Sequence, residues 1–258
     1  MLRITTREYK LILSPDRFAD RQAGAAEFQR LIHFFAGKLD AKVEDQNQEE
    51  ERRTYYLDTP SLDLGRAGFA LRVRFESAEK QFKVTLKHRS PDRYLAASKD
   101  VRSSRPKDDE VKFEEDILPP FRGVFSQSNA LWFGKSPGFK EFGDTVALFP
   151  GLDGLAPKKT GIEKVNGFEA HEIFCKLCRI KLGNKQKLNV GLSFWYNTRK
   201  DRWPLVAECA FDCSADKGDD FPPEVFDGAN RLFDLLQKQS GWFNLGATTK
   251  TAYAYEGL

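Results

Sequence analysis

The chain has 258 residues, 40% hydrophobic and 31% charged, and its 41 basic residues nearly balance its 38 acidic ones, leaving a net charge of +3. That balance gives no reason to expect a nucleic-acid partner or a membrane-binding surface. No apolar run approaches the ~18 residues of a membrane span, and the N-terminal segment is too charged for a signal peptide, so we expect a cytoplasmic protein.

The first part of the chain predicts one strand and one helix. Residues 3–13 form the strand, and Ser14 with Pro15 provides the N-cap and first turn of a helix that extends to Lys38. We interpret the acidic run 44–51 as a solvated connection. A two-residue alternation then predicts antiparallel strands over 53–57, 69–75, 81–88 and 111–117.

The second part of the chain begins with a weakly patterned stretch. Residues 119–166 are rich in proline, glycine and phenylalanine, which predicts loops with one or two short helices, and their role stays open. Strands are predicted over 172–182, 188–196 and 205–213, and a helix over 223–239. Because no repeat or interdomain linker is visible, we expect one domain, residues 1–258, of the α+β class with a mainly antiparallel sheet.

Four cysteines suggest a metal or disulfide site. Cys175 and Cys178 form a CxxC pattern, and Cys209 and Cys213 follow later in the chain. Both pairs lie in predicted strands, and in a strand the i and i+3 residues of the CxxC project to opposite faces and cannot share one metal ion without a turn between them. We therefore expect reduced, buried thiols.

Alternate residues of the predicted strands divide into an apolar set and a charged set. Leu71 and Val73, for example, alternate with Arg72 and Arg74. A sheet with one face on a core and the other in water gives the same alternation. The charged set is nevertheless dominated by arginine, lysine and carboxylates, so the pattern alone leaves both interpretations open. Its other members include Lys83, Lys87, Lys112, Glu114, Arg179, Lys181, Glu208 and Asp212.

A succession of short motifs follows one order along the chain. The segment 55–60, Tyr-Tyr-Leu-Asp-Thr-Pro, precedes Leu64, Ala67-Gly68 and the alternating run 70–74. Glu8-Tyr9-Lys10 comes before these motifs, and Thr85-Leu86-Lys87, the run 208–212 and Lys250 come after them. This succession resembles the CYTH family of triphosphate tunnel metalloenzymes, which includes class IV adenylate cyclases and thiamine triphosphatases.

The resemblance implies a closed eight-stranded antiparallel barrel with helices packed outside and a charged tunnel inside. Basic residues would bind a triphosphate-bearing small molecule or polyphosphate, and carboxylates would hold Mg²⁺ or Mn²⁺. The implied phosphate-binding residues are Lys10, Arg72, Arg74, Lys87, Lys112, Arg179, Lys181 and Lys250. The implied metal ligands are Glu8, Glu114, Glu208 and Asp212, and the implied catalytic residues are Glu8, Lys10 and Glu208.

Three positions depart from the family's acidic pattern. Thr6, Ser193 and Ala210 stand where carboxylates are expected, so the acidic half of the site is depleted. The resemblance implies metal-dependent hydrolysis of tripolyphosphate, thiamine triphosphate or a nucleotide, and the depletion favours a non-catalytic polyphosphate- or nucleotide-binding protein as the alternative. An adenylate cyclase is the third alternative, for which the sequence offers no base to activate a ribose hydroxyl. Neither the substrate nor the oligomeric state follows from the sequence.

Overall fold

A large sheet and several short helices make up the part of the chain that the computed structural model describes, residues 3–182, 186–214, 223–244 and 249–256. The strands are β1 (Thr6–Leu13), β2 (Lys42–Asp58), β3 (Phe69–Glu76), β4 (Gln81–Ser90), β5 (Lys112–Leu118), β6 (Arg122–Phe133), β7 (Glu163–Lys164), β8 (Ala170–Leu182), β9 (Gln186–Tyr196) and β10 (Val206–Ser214). The α-helices are α1 (Arg21–Lys38), α2 (Asp63–Arg66), α3 (Arg93–Ser98), α4 (Phe142–Leu148), α5 (Pro223–Gln237) and α6 (Lys250–Glu256).

Nine of these strands form a closed ring, in the order β3-β4-β6-β5-β1-β10-β9-β8-β2. Pairing of β2 with β3 closes it, and the two-residue β7 attaches to β2 outside the ring. All the ring pairs are antiparallel except β1 with β5, which run parallel. The mainly antiparallel α+β class is confirmed, whereas the predicted count of eight strands and the uniformly antiparallel pairing are wrong.

Strand β6 accounts for the difference in strand number, because it lies in the stretch 119–166, for which loops and short helices were predicted. Its central residues, Ser126 to Leu131, are all buried, and four of the six are polar. A strand buried on both faces with polar side chains shows no apolar alternation, so the two-residue pattern was absent there. The predicted short helix of this stretch is present as α4.

The apolar core lies outside the ring, beneath the helices. Tyr9 and Leu11 of β1 pack in one buried cluster with Phe28 of α1 and Phe233 of α5. A second cluster joins the outer faces of β3, β4 and β6 to α4 and the turn after it. Burying one such side chain contributes about 1.5–3 kcal/mol. The helices therefore cover the apolar face of the strands, and the charged face is directed into the ring.

The boundaries of two N-terminal elements differ from the prediction. Ser14 and Pro15 begin a short 3₁₀ turn, and α1 starts later, where the Asp20 carboxylate accepts a hydrogen bond of 3.0 Å from the backbone N–H of Ala23. The acidic run 44–51 is no solvated connection but part of β2, which pairs with β8. Carboxylates in this run pair with basic side chains of neighbouring elements, as Glu49 does with Arg21. None of the helices found in the described ranges is long and apolar enough to cross a membrane.

A bulge in β8 between Lys176 and Cys178 changes which residues face the core. Leu177 and Cys178 are both buried, so Cys175 and Cys178 lie in the same apolar cluster instead of on opposite faces. All four cysteines are free and buried, as expected. Burial raises the pKa of the Cys178 thiol to about 12.

Candidate functional site

The interior of the ring encloses a chamber of about 450 Å³. Every strand of the ring and the start of α6 contribute side chains to its wall. Nine of these side chains are basic and six are acidic, so the wall carries an excess of three positive charges. The basic ones are Lys10, Arg52, Arg72, Arg74, Lys83, Lys87, Arg89, Lys112 and Lys250, and the acidic ones are Glu8, Glu110, Glu114, Asp116, Glu172 and Glu208.

Strand β4 runs along the length of the chamber. Its alternate residues from Lys83 to Arg89 line the wall, and at ~3.4 Å per residue these six steps span roughly 20 Å. Lys250 and Thr251 of α6 lie at the Arg89 end, where Thr251 Oγ1 accepts a hydrogen bond of 3.0 Å from Arg89. At the Lys83 end, the lining residue Lys112 is exposed to solvent. The two ends therefore differ in what covers them.

Lys10 lies at the centre of one charged cluster. Its ammonium nitrogen is 2.8 Å from Glu8 and 2.9 Å from Asp116. Burial would lower the pKa of Lys10, but Asp116 and Glu8 outweigh burial and raise it. Burial would likewise raise the pKa of Asp116, and Lys10, with Lys87 and Arg89, holds it well below its usual range. Lys10 and Asp116 therefore stay charged and paired through the neutral pH range.

Glu172 lies at the centre of a second cluster. Its carboxylate, only 1% exposed, accepts hydrogen bonds from the hydroxyls of Thr54 at 3.0 Å and Ser193 at 2.6 Å. Arg74 and Lys250 approach it to 3.5 and 3.6 Å. Burial would raise the pKa of Glu172, but these two cations hold it well below its usual range. Glu172 thus orients one cation from β3 and another from α6.

Arg72 differs from the cations of both clusters. It makes no ion pair with any residue that the structure describes, and its buried Nε has no hydrogen-bond partner there. Burial, and then repulsion from Arg74, lower the pKa of Arg72 to about 10. The hydroxyl of Thr85, opposite Arg72 on β4, is also buried without a partner. The middle of the chamber therefore offers donors and positive charge without a matching anion.

Most residues predicted for the site lie together in this chamber. Three do not line it: Arg179, Lys181 and Asp212. Arg179 is exposed, and Lys181 forms an ion pair with Glu44 of β2. Both lie past the bulge of β8, on the part of that strand that extends away from α6, so the structure does not bring them to the chamber wall. The predicted residues that do line the wall are Glu8, Lys10, Arg72, Arg74, Lys87, Lys112, Glu114, Glu208 and Lys250.

Five charged wall residues were missed by the sequence reasoning, among them Glu110, which lies one residue before the predicted start of its strand. Asp116 lies inside its predicted strand and continues the alternation of Lys112 and Glu114, whereas Arg89 continues that of Lys83 and Lys87 one residue past the end of its predicted strand. Arg52 lies one residue before the predicted start of its strand. The bulge in β8 explains why Glu172 was missed. In a regular strand Glu172 and Arg179 would face opposite sides of the sheet, and Arg179 was predicted to face inward.

The carboxylates do not form a metal site held by protein groups alone. Within the described ranges, no three His, Cys, Asp or Glu side chains converge as metal ligands. Lys10 already places a positive charge between Glu8 and Asp116, Lys87 lies 3.0 Å from Glu114, and Lys250 lies 2.9 Å from Glu208. Each of these carboxylates is thus already paired with a lysine.

Two of the three acid-depleted positions lie in the chamber wall. Ala210 and Ser193 line it, whereas Thr6 does not. Between them, Gly191 allows the ring of Phe174 to lie against β9, since a Cβ at that glycine would come within 2.8 Å of the ring. Arg52 stacks on the same ring at 4.3 Å from its centroid. This side of the wall is consequently less acidic and more apolar than the family pattern implies.

Comparison with known families and structures gave one family match and several structures of similar fold. The sequence profile of the CYTH domain matches residues 7–155, more than half of the chain. A proposed adenylyl cyclase from Hippeastrum, described as having a dominant triphosphatase activity, has a similar structure: TM-score 0.50, 15% identity, covering 98% of this chain and 96% of that one. A proposed adenylate cyclase from Bacillus halodurans has a TM-score of 0.44 and 11% identity, covering 96% and 98%. At 15% identity, the likeness to the Hippeastrum protein concerns the fold alone. None of the curated proteins matches the chain.

Proposed function

Since this chain belongs to the CYTH domain family, we propose that its chamber binds the triphosphate group of a small anionic substrate and hydrolyses it. The observation that carries the proposal is Arg72, which lies in mid-chamber with a buried, unpartnered Nε and makes no ion pair in the described chain. An uncompensated buried charge costs several kcal/mol, and a bound anion would offset that cost. A triphosphate supplies several negative charges to a wall with an excess of three positive ones.

Phosphate binding is assigned to the basic residues that line the chamber. Arg72 and Arg74 would hold the middle phosphate oxygens, and planar guanidinium groups suit such bidentate contacts. Lys87 and Lys10 would neutralise charge on the β1–β5 side, Lys112 would contact the group nearest the open end, and Lys250 the phosphate nearest α6. Arg179 and Lys181 are left out of this assignment because they lie outside the chamber.

Hydrolysis of a phosphoanhydride depends mainly on positioning and on neutralising charge that develops in the transition state. Lys10 is suited to the second task because Glu8 and Asp116 fix its ammonium group. Glu8 and Glu208 remain the proposed catalytic carboxylates, able to orient an attacking water. Any Mg²⁺ or Mn²⁺ requirement would concern an ion carried by the substrate phosphates, consistent with the general use of divalent metals in this family.

A second candidate is a protein that binds polyphosphate or a nucleotide without hydrolysing it. The specific observation in its favour is the depleted wall at Ala210, Gly191 and Ser193. The triphosphatase activity described for the Hippeastrum protein is compatible with the first candidate. The chamber's charges support binding more directly than they support turnover.

The test is phosphate release from tripolyphosphate, thiamine triphosphate and ATP, each with Mg²⁺, Mn²⁺ or EDTA, combined with calorimetric binding of the same compounds. Turnover with one of these compounds supports hydrolysis, and binding without turnover under any condition supports the second candidate. Arg72→Met should weaken tripolyphosphate binding at least tenfold, since hydrogen bonds to charged groups contribute about 1.5–3 kcal/mol. Arg102→Met is the matched control, because Arg102 is 73% exposed and pairs with Asp100 outside the chamber. Absence of binding by the wild type would refute both candidates.

A further inference from the structure

Helix α6 brings two side chains to the Arg89 end of the chamber. The Lys250 ammonium nitrogen lies 2.9 Å from Glu208, and Thr251 Oγ1 is 3.1 Å from the Tyr56 hydroxyl. Thr249, immediately before the helix, also lines the wall. With only seven residues, α6 is too short to be stable by itself and depends on contacts with the rest of the chain for its position.

The far end of α6 is held by Asn166. Its side-chain amide donates hydrogen bonds of 3.0 Å to the backbone carbonyl oxygens of both Ala254 and Tyr255. These carbonyls belong to the last turn of the helix, where such groups have no partner within the helix itself. Asn166 has a φ of 53°, a conformation that asparagine adopts more readily than most residues. The turn at 165–167 thus presents a cap to a helix that is remote in sequence.

The side of α6 is held by the turn that follows β2. The Asp58 carboxylate is fully buried and accepts hydrogen bonds from the backbone N–H groups of Thr59, Leu64 and Gly65 at 2.8, 2.9 and 2.8 Å. The ring of Tyr255 packs directly on this turn, since a Cβ added to Gly65 would be 2.8 Å from its Cε1 atom. Burial, and then the neighbouring Asp58 charge, raise the pKa of Tyr255.

We propose that Asp58, Gly65 and Asn166 form a positioning site for α6, and that this site sets the location of Lys250 and Thr251 at the end of the chamber. None of the three lines the chamber, so their influence on a ligand must pass through the helix. The proposal rests on the proposed function, in which Lys250 contacts the phosphate nearest α6. Asp58, Gly65 and Asn166 would then influence the affinity for the ligand without contacting the ligand.

The test uses Gly65→Ala, which adds one methyl group against Tyr255 and leaves every chamber residue unchanged. Calorimetric titration with tripolyphosphate should show binding about tenfold weaker than in the wild type, similar to Lys250→Ala. The double variant should bind no more weakly than Lys250→Ala alone, because both substitutions remove the same contact. Gly37→Ala is the matched control and should bind as the wild type does, since a Cβ at Gly37 meets no atom within 4 Å.

A second variant keeps the proposal testable if Gly65→Ala does not fold. Asn166→Gly preserves the positive φ and removes only the two hydrogen bonds to α6. It should weaken tripolyphosphate binding in the same direction and should also be non-additive with Lys250→Ala. Unchanged affinity in folded Gly65→Ala and Asn166→Gly, or losses that add to that of Lys250→Ala, would overturn the positioning role. A wild type that does not bind tripolyphosphate would instead refute the proposed function.

Discussion

Arg72 and Arg74 allow one prediction to be tested on a matched pair of side chains. Both face the chamber from β3, but Arg74 approaches Glu76 and Glu172 whereas Arg72 has no ion pair within the described chain. The pKa of Arg72 is lowered to about 10 by burial and then by Arg74. The ordinary arginine value is near 12.5, and each unit corresponds to 1.36 kcal/mol, so the charged guanidinium opposes folding by roughly 3 kcal/mol. Because the unfolded chain holds the proton more tightly, this cost is fully present at every pH below about 10.

Arg72→Met should therefore raise the free energy of unfolding by about 1–3 kcal/mol, since a neutral side chain of similar length removes an uncompensated charge. Arg74→Met should lower it by about 3–5 kcal/mol, because Glu172 and Glu76 would lose a buried partner. Urea-induced unfolding at pH 7, followed by tryptophan fluorescence, measures both values. Both variants should also bind tripolyphosphate more weakly than the wild type. Equal destabilisation by the two substitutions would refute the description of Arg72 as an uncompensated cation.

Three further predictions concern other parts of the molecule. Burial alone would raise the pKa of Glu172, but Arg74 and Lys250 hold it well below its usual range, so its stabilising contribution is present above about pH 5 and is lost as the pH falls. Glu172→Gln should accordingly unfold in less urea than the wild type at pH 7 and show a smaller further loss at pH 4. The four cysteines should react with a thiol reagent at pH 8 only after unfolding, because burial raises the pKa of Cys175 to about 11 and of Cys178 to about 12; labelling of the native protein within minutes would contradict this. Ala210→Glu, opposite Lys10 in the chamber wall, should tighten Mn²⁺ binding about tenfold in calorimetry, whereas Thr6→Glu, outside the wall, should leave it unchanged.

The alternation of charged and apolar residues was sufficient to predict most of the ring and its interior. Arg72, Arg74, Lys87 and Glu114 line the chamber because their strands are regular, so every second side chain faces inward. Strand β6 shows no such alternation, since its buried centre contains polar residues on both faces. The missing strand changed the predicted count, but it did not change which faces of its neighbours point inward.

Ion pairing between strands explains the misinterpreted acidic run. A stretch such as 44–51 is typical of solvated loops because adjacent carboxylates repel one another. Here the run lies in β2 between elements that supply cations, including Arg21 of α1 and Lys176 of β8. Sequence reasoning considered the charges of the run alone, whereas in the structure cations of the neighbouring elements pair with them.

The errors at Arg179, Lys181 and Glu172 have a common geometric origin in the length of β8. Its 13 residues make twelve steps and extend over roughly 41 Å at ~3.4 Å per residue, about twice the distance from Lys83 to Arg89 along the chamber. Only one half of β8 can therefore contribute to the wall. The bulge near Lys176 separates the two halves and shifts their alternation by one residue, so Glu172 faces the chamber while Arg179 and Lys181 lie beyond it. A residue on the inward face of a long strand therefore lines the chamber only where the neighbouring strand also lines it. Glu172 meets this condition, because its pairing partner Trp195 on β9 is also part of the wall.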